Sequence, residues 1–240
     1  TACLKGLANH PACGHGDYSL LYCRSCRLLR SHTPCQLAKS DLNTTFLSII
    51  IPAHNEASRL PRTLERIFAF LNTQVYTELA SAFLKDHPEL NVIHEENRGK
   101  GNAVRRGILS AHGEYHFICD ADLSMPIEDL PKFLPPTLND FDIAIGSREA
   151  PGSIRYNEPP YRHLGGRAIN LAIRTLILPG LNDTQCGFKC FHAEETTALF
   201  QQQTVTGWSF DIELLYLARR KKLRVHEVPI QWYYDPDSKV

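Results

Sequence analysis

The sequence predicts an α/β protein with a mostly parallel sheet flanked by helices. Short β-branched and aromatic runs alternate with longer segments of helical spacing from residue 46 onward, the order expected of strand–helix–strand units. The 240 residues are 43% hydrophobic, enough for one substantial core. Residues 1–40 are richer in His, Gly and Cys, so we predict a small module at 1–40 and a main domain at 41–240.

The first half of the main domain gives four strands and three helices in order, besides a helical segment over 78–85. An unbroken apolar run predicts a buried strand over 46–51, and apolar residues at helical spacing predict a helix over 57–71. Further β-rich runs predict strands over 90–96, 115–122 and 141–147. A Gly-rich turn opens a short helix over 101–111, and Pro126 opens another over 127–134.

The second half is predicted to begin with a long helix over about 161–178. Pro179 and Gly180 follow it, and this pair is typical of a helix end. A strand over 188–192, a helix over 210–221 and an alternating strand over 224–232 complete the domain. One position breaks the alternation: only residues 73–77 separate the first helix, which ends near Asn72, from a helical segment over 78–85, and a strand is expected there.

Bulk composition favours neither a nucleic acid partner nor a membrane-spanning segment. Lys plus Arg equals Asp plus Glu at 26 each, so net charge gives no argument for nucleic acid binding. No run of about 18 apolar residues predicts a spanning helix, and the N-terminus lacks the pattern of a signal peptide. We expect a soluble protein, or one bound at most to a membrane surface.

The third strand ends in two carboxylates, Asp120 and Asp122. Ligands of open α/β sheets bind beyond the carboxyl ends of strands, and residues i and i+2 of an extended chain point to one side. Both carboxylates are therefore expected to converge on Mg²⁺ or Mn²⁺, which prefer oxygen ligands. Spacing alone leaves open a surface pair that caps the next helix.

Six motifs in order surround this pair: PAHNE at 52–56, RGKGNA at 98–103, DAD at 120–122, IGSR at 145–148, DTQCGFK at 183–189 and WSFDIELL at 208–215. Together they resemble family 2 glycosyltransferases of the GT-A fold, in the branch that transfers hexoses to polyprenyl or dolichyl phosphates. The resemblance covers about 44–240. It implies a Rossmann-like sheet and an inverting transfer of a hexose from a UDP-glucose or GDP-mannose type of donor.

For the donor, the resemblance implies that Asp120 and Asp122 hold the divalent ion against the diphosphate. Pro52, Ala53 and Glu56 would face the nucleoside, although a carboxylate at a helix N-terminus also accounts for Glu56. Arg98 and Lys100 lie in a Gly-rich turn that suits phosphate.

For the acceptor, the resemblance implies that Arg148 and Arg162 grip the phosphate. It places Asp183, Gln185, Lys189 and Trp208 along the acceptor side, with core packing as the alternative for Trp208. Asp211 matches a catalytic carboxylate. A prenyl phosphate is already ionised near neutral pH, so Asp211 is either a base or a positioning group.

Membrane contact is a further expectation. Arg167 and Arg174 are two helical turns apart and share a face, which is either a solvated surface or a dock for anionic headgroups. The apolar run 176–181 is expected in the core, with contact to a bilayer as the alternative. Taken with the resemblance, these features predict a peripheral protein. The resemblance itself implies the cytoplasmic membrane face, a nucleotide-sugar donor and a polyprenyl phosphate acceptor.

The N-terminal module predicts structural zinc. His10 and Cys13 form one pair with a two-residue gap, and Cys23 and Cys26 form another, the spacing of a tetrahedral zinc ribbon. Cys3 or His15 is an alternative ligand, and a metal-free reduced segment is the alternative state.

The position near 73–77 limits the functional prediction. Related enzymes carry a strand there whose paired-Asp loop contacts the nucleotide base, so either residues are omitted from this chain or a donor contact is lost. The end at Val240 is also expected to be clipped. Alternatives to the enzyme are an impaired homologue that binds a nucleotide-sugar or partner, and a nucleotidyltransferase.

Overall fold

A computed structural model describes residues 2–6, 45–54, 56, 58–73, 90–93, 95–159 and 170–235. Its strands are β1 Ala2–Gly6, β2 Thr45–Ile51, β3 Leu90–Val92, β4 Gly113–Ile118, β5 Ile143–Ser147, β6 Ile154–Tyr156, β7 Lys189–His192, β8 Val225–Pro229 and β9 Gln231–Tyr233. Its helices are α1 Leu60–Thr73, α2 Lys100–Leu109, α3 Ala193–Gln202 and α4 Phe210–Arg220, with a 3₁₀ helix at Ile127–Phe133. Residues 170–176 are also helical.

Seven strands form the main sheet in the order β3-β1-β2-β4-β7-β5-β8. Strands β2 and β4 pair in parallel, as do β5 and β8, whereas β1 and β7 are each antiparallel to both neighbours. Five of the seven strands therefore run in one direction. The predicted α/β class with a mostly parallel sheet is confirmed.

Strand β1 fills the place between β2 and β3. Ala2 pairs with Ile51 on one side and with Val92 on the other. In an unbroken alternation, the strand expected near 73–77 would lie in this place. Residues 2–6 thus belong to the main sheet, and the rest of the module predicted at 1–40 lies outside the described residues. The zinc prediction at His10, Cys13, Cys23 and Cys26 lies outside the described residues and stays a prediction.

Both faces of the sheet are buried. Ile49, Ile51 and Phe117 face one core, which α1 and the 3₁₀ helix cover with Ile67 and Phe133. Ile50, Ile118 and Phe191 face a second core, which α2, α3 and α4 cover with Val104, Leu199 and Phe210. Two covered faces explain why the strands read as continuous apolar runs.

The structure differs from the predicted elements in several places. The third strand ends at Ile118, four residues early, because the chain turns at Asp120–Leu123 and Leu123 adopts a φ of 49°. The last strand divides at Ile230: β8 joins the main sheet, and β9 pairs with β6 in a second sheet. Helix α3 and strand β6 were not predicted.

Among the described residues, no helix combines the length and the apolar character needed to cross a bilayer.

Candidate active site

The candidate site lies where β2, β4 and β5 end. These strands run in the same direction, so the residues that follow them meet at one edge of the sheet. Pro52 and Ala53 follow β2, the Asp pair follows β4, and Arg148 follows β5.

The Asp pair lies on a turn, so the extended conformation assumed for residues i and i+2 is wrong. The Leu123 N–H donates to the Asp120 carbonyl at 3.3 Å, and the Ser124 N–H donates to Asp122 Oδ1 at 3.0 Å. Burial raises the pKa of Asp122, an effect that the Ser124 N–H opposes and the nearby Asp120 charge reinforces. Such a site favours an incoming cation.

Lys100, the first residue of α2, supplies one cation to this turn. Its Nζ lies 2.7 Å from Asp120 Oδ1 and 4.8 Å from the centre of the Trp208 ring. Burial lowers the pKa of Lys100, but Asp120 and other nearby carboxylates outweigh burial and raise the pKa above its usual value. Trp208 is 54% exposed, so core packing does not account for it.

Gly187 closes the other side of Asp120. A Cβ at Gly187 would lie 1.9 Å from Asp120 Oδ2, far inside van der Waals contact. Gly99 has a comparable constraint, because its φ is 123° and its Cβ would lie 2.1 Å from the Thr206 carbonyl oxygen. Glycine at both positions is therefore required by the close approach of backbone to the site.

Lys189 and Asp211 form a buried ion pair beneath the turn. Lys189 Nζ lies 2.9 Å from Asp211 Oδ1 and also donates to the Cys186 carbonyl. Burial raises the pKa of Asp211, whereas Lys189 and Lys100 oppose that rise. Lys189 is 2% exposed, so the direct acceptor contact predicted for it does not fit the structure.

Arg148 is held by a bidentate pair with Asp183. Arg148 Nε donates to Asp183 Oδ2 at 2.6 Å, and Nη2 donates to Oδ1 at 2.9 Å. Burial raises the pKa of Asp183, but Arg148 outweighs burial and holds the pKa below its usual value. Asp183 is fully buried, so it positions Arg148 and does not face an acceptor. The Gln185 N–H donates to Asp183 Oδ1 at 3.3 Å.

A family model, Glycosyl transferase family 2, matches residues 48–197. The chain belongs to glycosyltransferase family 2. It is 32% identical to a dolichyl-phosphate beta-glucosyltransferase of Trichomonas vaginalis, covering 86% of this chain and 68% of that protein. The Drosophila melanogaster protein of the same name is 34% identical, over 81% and 69% of the two chains. The human one is 30% identical, over 83% and 71%.

Solved structures confirm the GT-A fold expected of this glycosyltransferase. Glucosyl-3-phosphoglycerate synthase from Mycobacterium tuberculosis, in complex with UDP, matches with a TM-score of 0.53 and 18% identity, over 82% of this chain and 74% of that chain. Its complex with Mn²⁺, UDP-glucose and glycerol 3-phosphate matches with a TM-score of 0.51 and 16% identity, over 81% and 73% of the chains.

Two residues that lie beside Arg148 in this glycosyltransferase, Arg155 and Trp232, were not singled out from the sequence. Arg155 Nη2 binds Glu149 at 2.6 Å and Nη1 binds Glu158 at 2.8 Å. The guanidinium carbons of Arg148 and Arg155 lie 5.7 and 5.8 Å from the ring centre of Trp232. Each residue falls in a predicted or short β run, where the sequence gives no signal that distinguishes a site residue from a strand residue.

The remaining predicted residues have varied positions. Glu56 accepts helix-start N–H bonds through its carbonyl, and its carboxylate lies 3.6 Å from Arg59. This placement fits the helix N-terminus as well as a nucleoside contact. Arg98 is exposed in the turn before α2. Arg162 lies outside the described residues of this glycosyltransferase.

Proposed function

We propose that this family 2 glycosyltransferase transfers glucose from UDP-glucose to dolichyl or another polyprenyl phosphate with inversion at the anomeric carbon. The observation that carries the proposal is the pairing of two sites at one sheet edge. A carboxylate turn with Lys100 suits a nucleotide diphosphate, and Arg148, held by Asp183, suits a phosphate acceptor. The names of the curated relatives support glucose and dolichyl phosphate as the substrates.

The donor side fits a divalent ion. Asp120 and Asp122 offer oxygen atoms alone, and Lys100 neutralises one of the two charges. Mg²⁺ or Mn²⁺ held by these residues would neutralise the leaving diphosphate as a Lewis acid. Lys100 orients the Asp120 carboxylate, and Trp208, exposed beside Lys100, offers a flat face to the donor sugar.

The acceptor side presents a fixed guanidinium. The bonds to Asp183 use Nε and Nη2 of Arg148, which leaves Nη1 to bind a phosphate oxygen. Two backbone N–H groups, of Asn182 and Asp183, donate to Glu227 at 3.0 Å each and fix this segment. We assign the second phosphate contact to Arg162.

The transfer step needs no protein base. An ionised acceptor phosphate oxygen forms the bond to the anomeric carbon, and the bond from that carbon to the diphosphate oxygen breaks, with its electron pair leaving on the diphosphate. Asp211 is bound to Lys189 in the interior. We therefore assign Asp211 a positioning role, holding Lys189 and adding negative charge near Lys100.

A lipid acceptor also requires the catalytic domain to work at a bilayer surface. We propose that the protein acts peripherally at the cytoplasmic membrane face.

We also propose that structural zinc is bound by His10, Cys13, Cys23 and Cys26. Release of zinc by a chelator, followed by metal analysis, tests this proposal.

Measurement of radiolabelled glucose transfer from UDP-glucose to a polyprenyl phosphate, with Mn²⁺, tests the function. We expect transfer by the parent and loss of at least about 100-fold in Asp122→Asn, which removes a charge that the metal and diphosphate need. GDP-mannose as the preferred donor would contradict the glucose assignment.

A second candidate is a nucleotide-sugar binding protein without transfer activity. The observation in its favour is strand β1, which occupies the sheet position where related enzymes carry the strand with the base-contacting loop. UDP-glucose binding by calorimetry without any transfer would support this candidate and contradict the enzyme.

A further inference from the structure

The helical segment 170–176 and the residue after it present apolar side chains to solvent. Leu171 is 56% exposed, Leu176 81% and Ile177 41%, and we call these three residues the Leu176 face. Leu171 and Leu176 point about 140° apart around the helix axis. Ala172 and Thr175, which are also exposed, lie between them. Single exposed leucines are common in proteins, but a group of them marks a contact surface.

The same segment is anchored from its other side. Ile173 and Leu178 are buried in the second core. A rotation of the helix that buried Leu171 and Leu176 would therefore expose Ile173 and Leu178. The expectation that the run 176–181 packs in the core is therefore right for Leu178 and wrong for Leu176.

A run of cations borders the Leu176 face. Arg219, Arg220, Lys221 and Lys222 are exposed at the end of α4. Arg219 Nη1 donates to the Pro179 carbonyl at 3.3 Å, which places this end of α4 against the chain that follows Ile177. Arg174, also exposed, adds a fifth cation from the helix itself.

The face is linked to the acceptor side of the site. Arg174 Nη1 donates to Asn182 Oδ1 at 2.9 Å, and the next residue, Asp183, holds Arg148. A partner that binds the Leu176 face would therefore lie next to Asn182 and Asp183, the segment that holds Arg148.

We propose that the Leu176 face and the four cations Arg219–Lys222 dock on an anionic lipid bilayer, with the leucines inserted among the headgroups. The proposal rests on the proposed function, because a polyprenyl phosphate is embedded in a bilayer. Anionic lipids attract clustered Lys and Arg, and apolar side chains beside them add insertion.

Charge decides between a bilayer and a second copy of this chain. In a two-fold dimer the same patch meets itself, so a dimer through the Leu176 face would bring two runs of four cations together. An anionic bilayer offers the opposite charge along with apolar depth.

Co-sedimentation with vesicles of phosphatidylcholine and phosphatidylserine tests the proposal. The parent should bind these vesicles, bind pure phosphatidylcholine vesicles much less, and lose binding as salt is raised. Leu171→Ser/Leu176→Ser should weaken binding at least about tenfold, because it removes the inserted apolar area. Arg220→Glu/Lys221→Glu should weaken binding about tenfold or more, and only on the anionic vesicles.

Leu109→Ser is the matched control, since Leu109 is an exposed helix leucine (40%) on α2 and not on this face. It should bind vesicles like the parent. Equal binding by the parent and the double serine variant would overturn the proposal, as would no binding by the parent. So would a parent dimer that the serine variant turns into a monomer, since that assigns the face to a second copy.

Transfer to a short-chain polyprenyl phosphate in detergent separates this proposal from the function. The serine variant should transfer glucose like the parent there, because no bilayer is needed. If the parent binds vesicles through the Leu176 face but transfers nothing in detergent, the proposed function fails and the docking surface stands.

Discussion

Lys189 and Asp211 meet in the protein interior with 2.9 Å between Nζ and Oδ1, although 21 residues separate them in the chain. Both side chains are almost fully buried. Lys189 Nζ also donates a hydrogen bond to the Cys186 carbonyl. Asp211 lies in the first turn of α4. The pair thus joins the start of β7 to the start of α4.

Replacing one partner of this pair should strongly destabilise the protein. Lys189→Met leaves the Asp211 carboxylate buried without its cation, and we expect a loss of about 3–5 kcal/mol in the free energy of unfolding. Urea unfolding monitored by circular dichroism measures it. The double variant Lys189→Met/Asp211→Leu should recover most of the loss, because no buried charge remains. A single variant as stable as the parent would show that the pair is not buried in solution.

Gly187→Ala should inactivate the donor site while the fold survives. The added Cβ would overlap Asp120 Oδ2, so the Asp120 carboxylate must move away from Lys100 and from the proposed metal position. We expect a loss of about 100-fold or more in kcat/KM with UDP-glucose and weaker stimulation by Mn²⁺. Gly207→Ala is the control, because a Cβ there meets no atom of the described residues within 4 Å. Normal kinetics in Gly187→Ala would contradict the placement of Asp120.

The sequence located the Asp pair because two carboxylates follow an apolar strand and the other five motifs surround them in order, whereas their spacing alone left a surface pair open. It did not reveal that Asp183 and Lys189 are buried, since their partners Arg148 and Asp211 are distant in the chain. It also did not predict β1, because Ala2–Gly6 is a short segment. Its strand conformation depends on backbone pairing with β2 on one side and β3 on the other. Long-range pairing, and not local propensity, decided these features.

His116 should make stability depend on pH. Burial lowers its pKa to about 4, with His112 and His192 adding to the effect. Both ring nitrogens are buried, and a contact with the Gly113 backbone opposes the fall in pKa only in part. The unfolded chain takes up a proton below the usual pKa of 6.5, whereas the folded one does so only near pH 4. Stability is therefore full above pH 6.5 and falls as the pH drops toward 4, by roughly 3 kcal/mol at most.

Urea unfolding of His116→Leu between pH 4 and 8 checks this dependence. The variant should lose the fall in stability below pH 6.5, since no buried imidazole remains to be protonated. His226→Gln is the control, because His226 is exposed on β8, and it should keep the fall. If parent and His116→Leu share one pH profile, His116 is not the group responsible.

Asp183→Asn should weaken acceptor use more than donor use. The amide keeps the shape of Asp183 but removes the charge that orients Arg148, so the guanidinium no longer holds one position for a phosphate. We expect the KM for polyprenyl phosphate to rise about tenfold to 100-fold, with the KM for UDP-glucose nearly unchanged.

The chain offers a matched control in Asp142, which binds Arg224 through Nε at 3.2 Å, Nη2 at 2.6 Å and the backbone N–H at 2.7 Å. Asp142→Asn removes the same kind of pair where β5 begins, away from the site, so it should lower stability and leave the acceptor KM unchanged. An equal rise in acceptor KM for both variants would mean that lost stability, and not the orientation of Arg148, causes the effect.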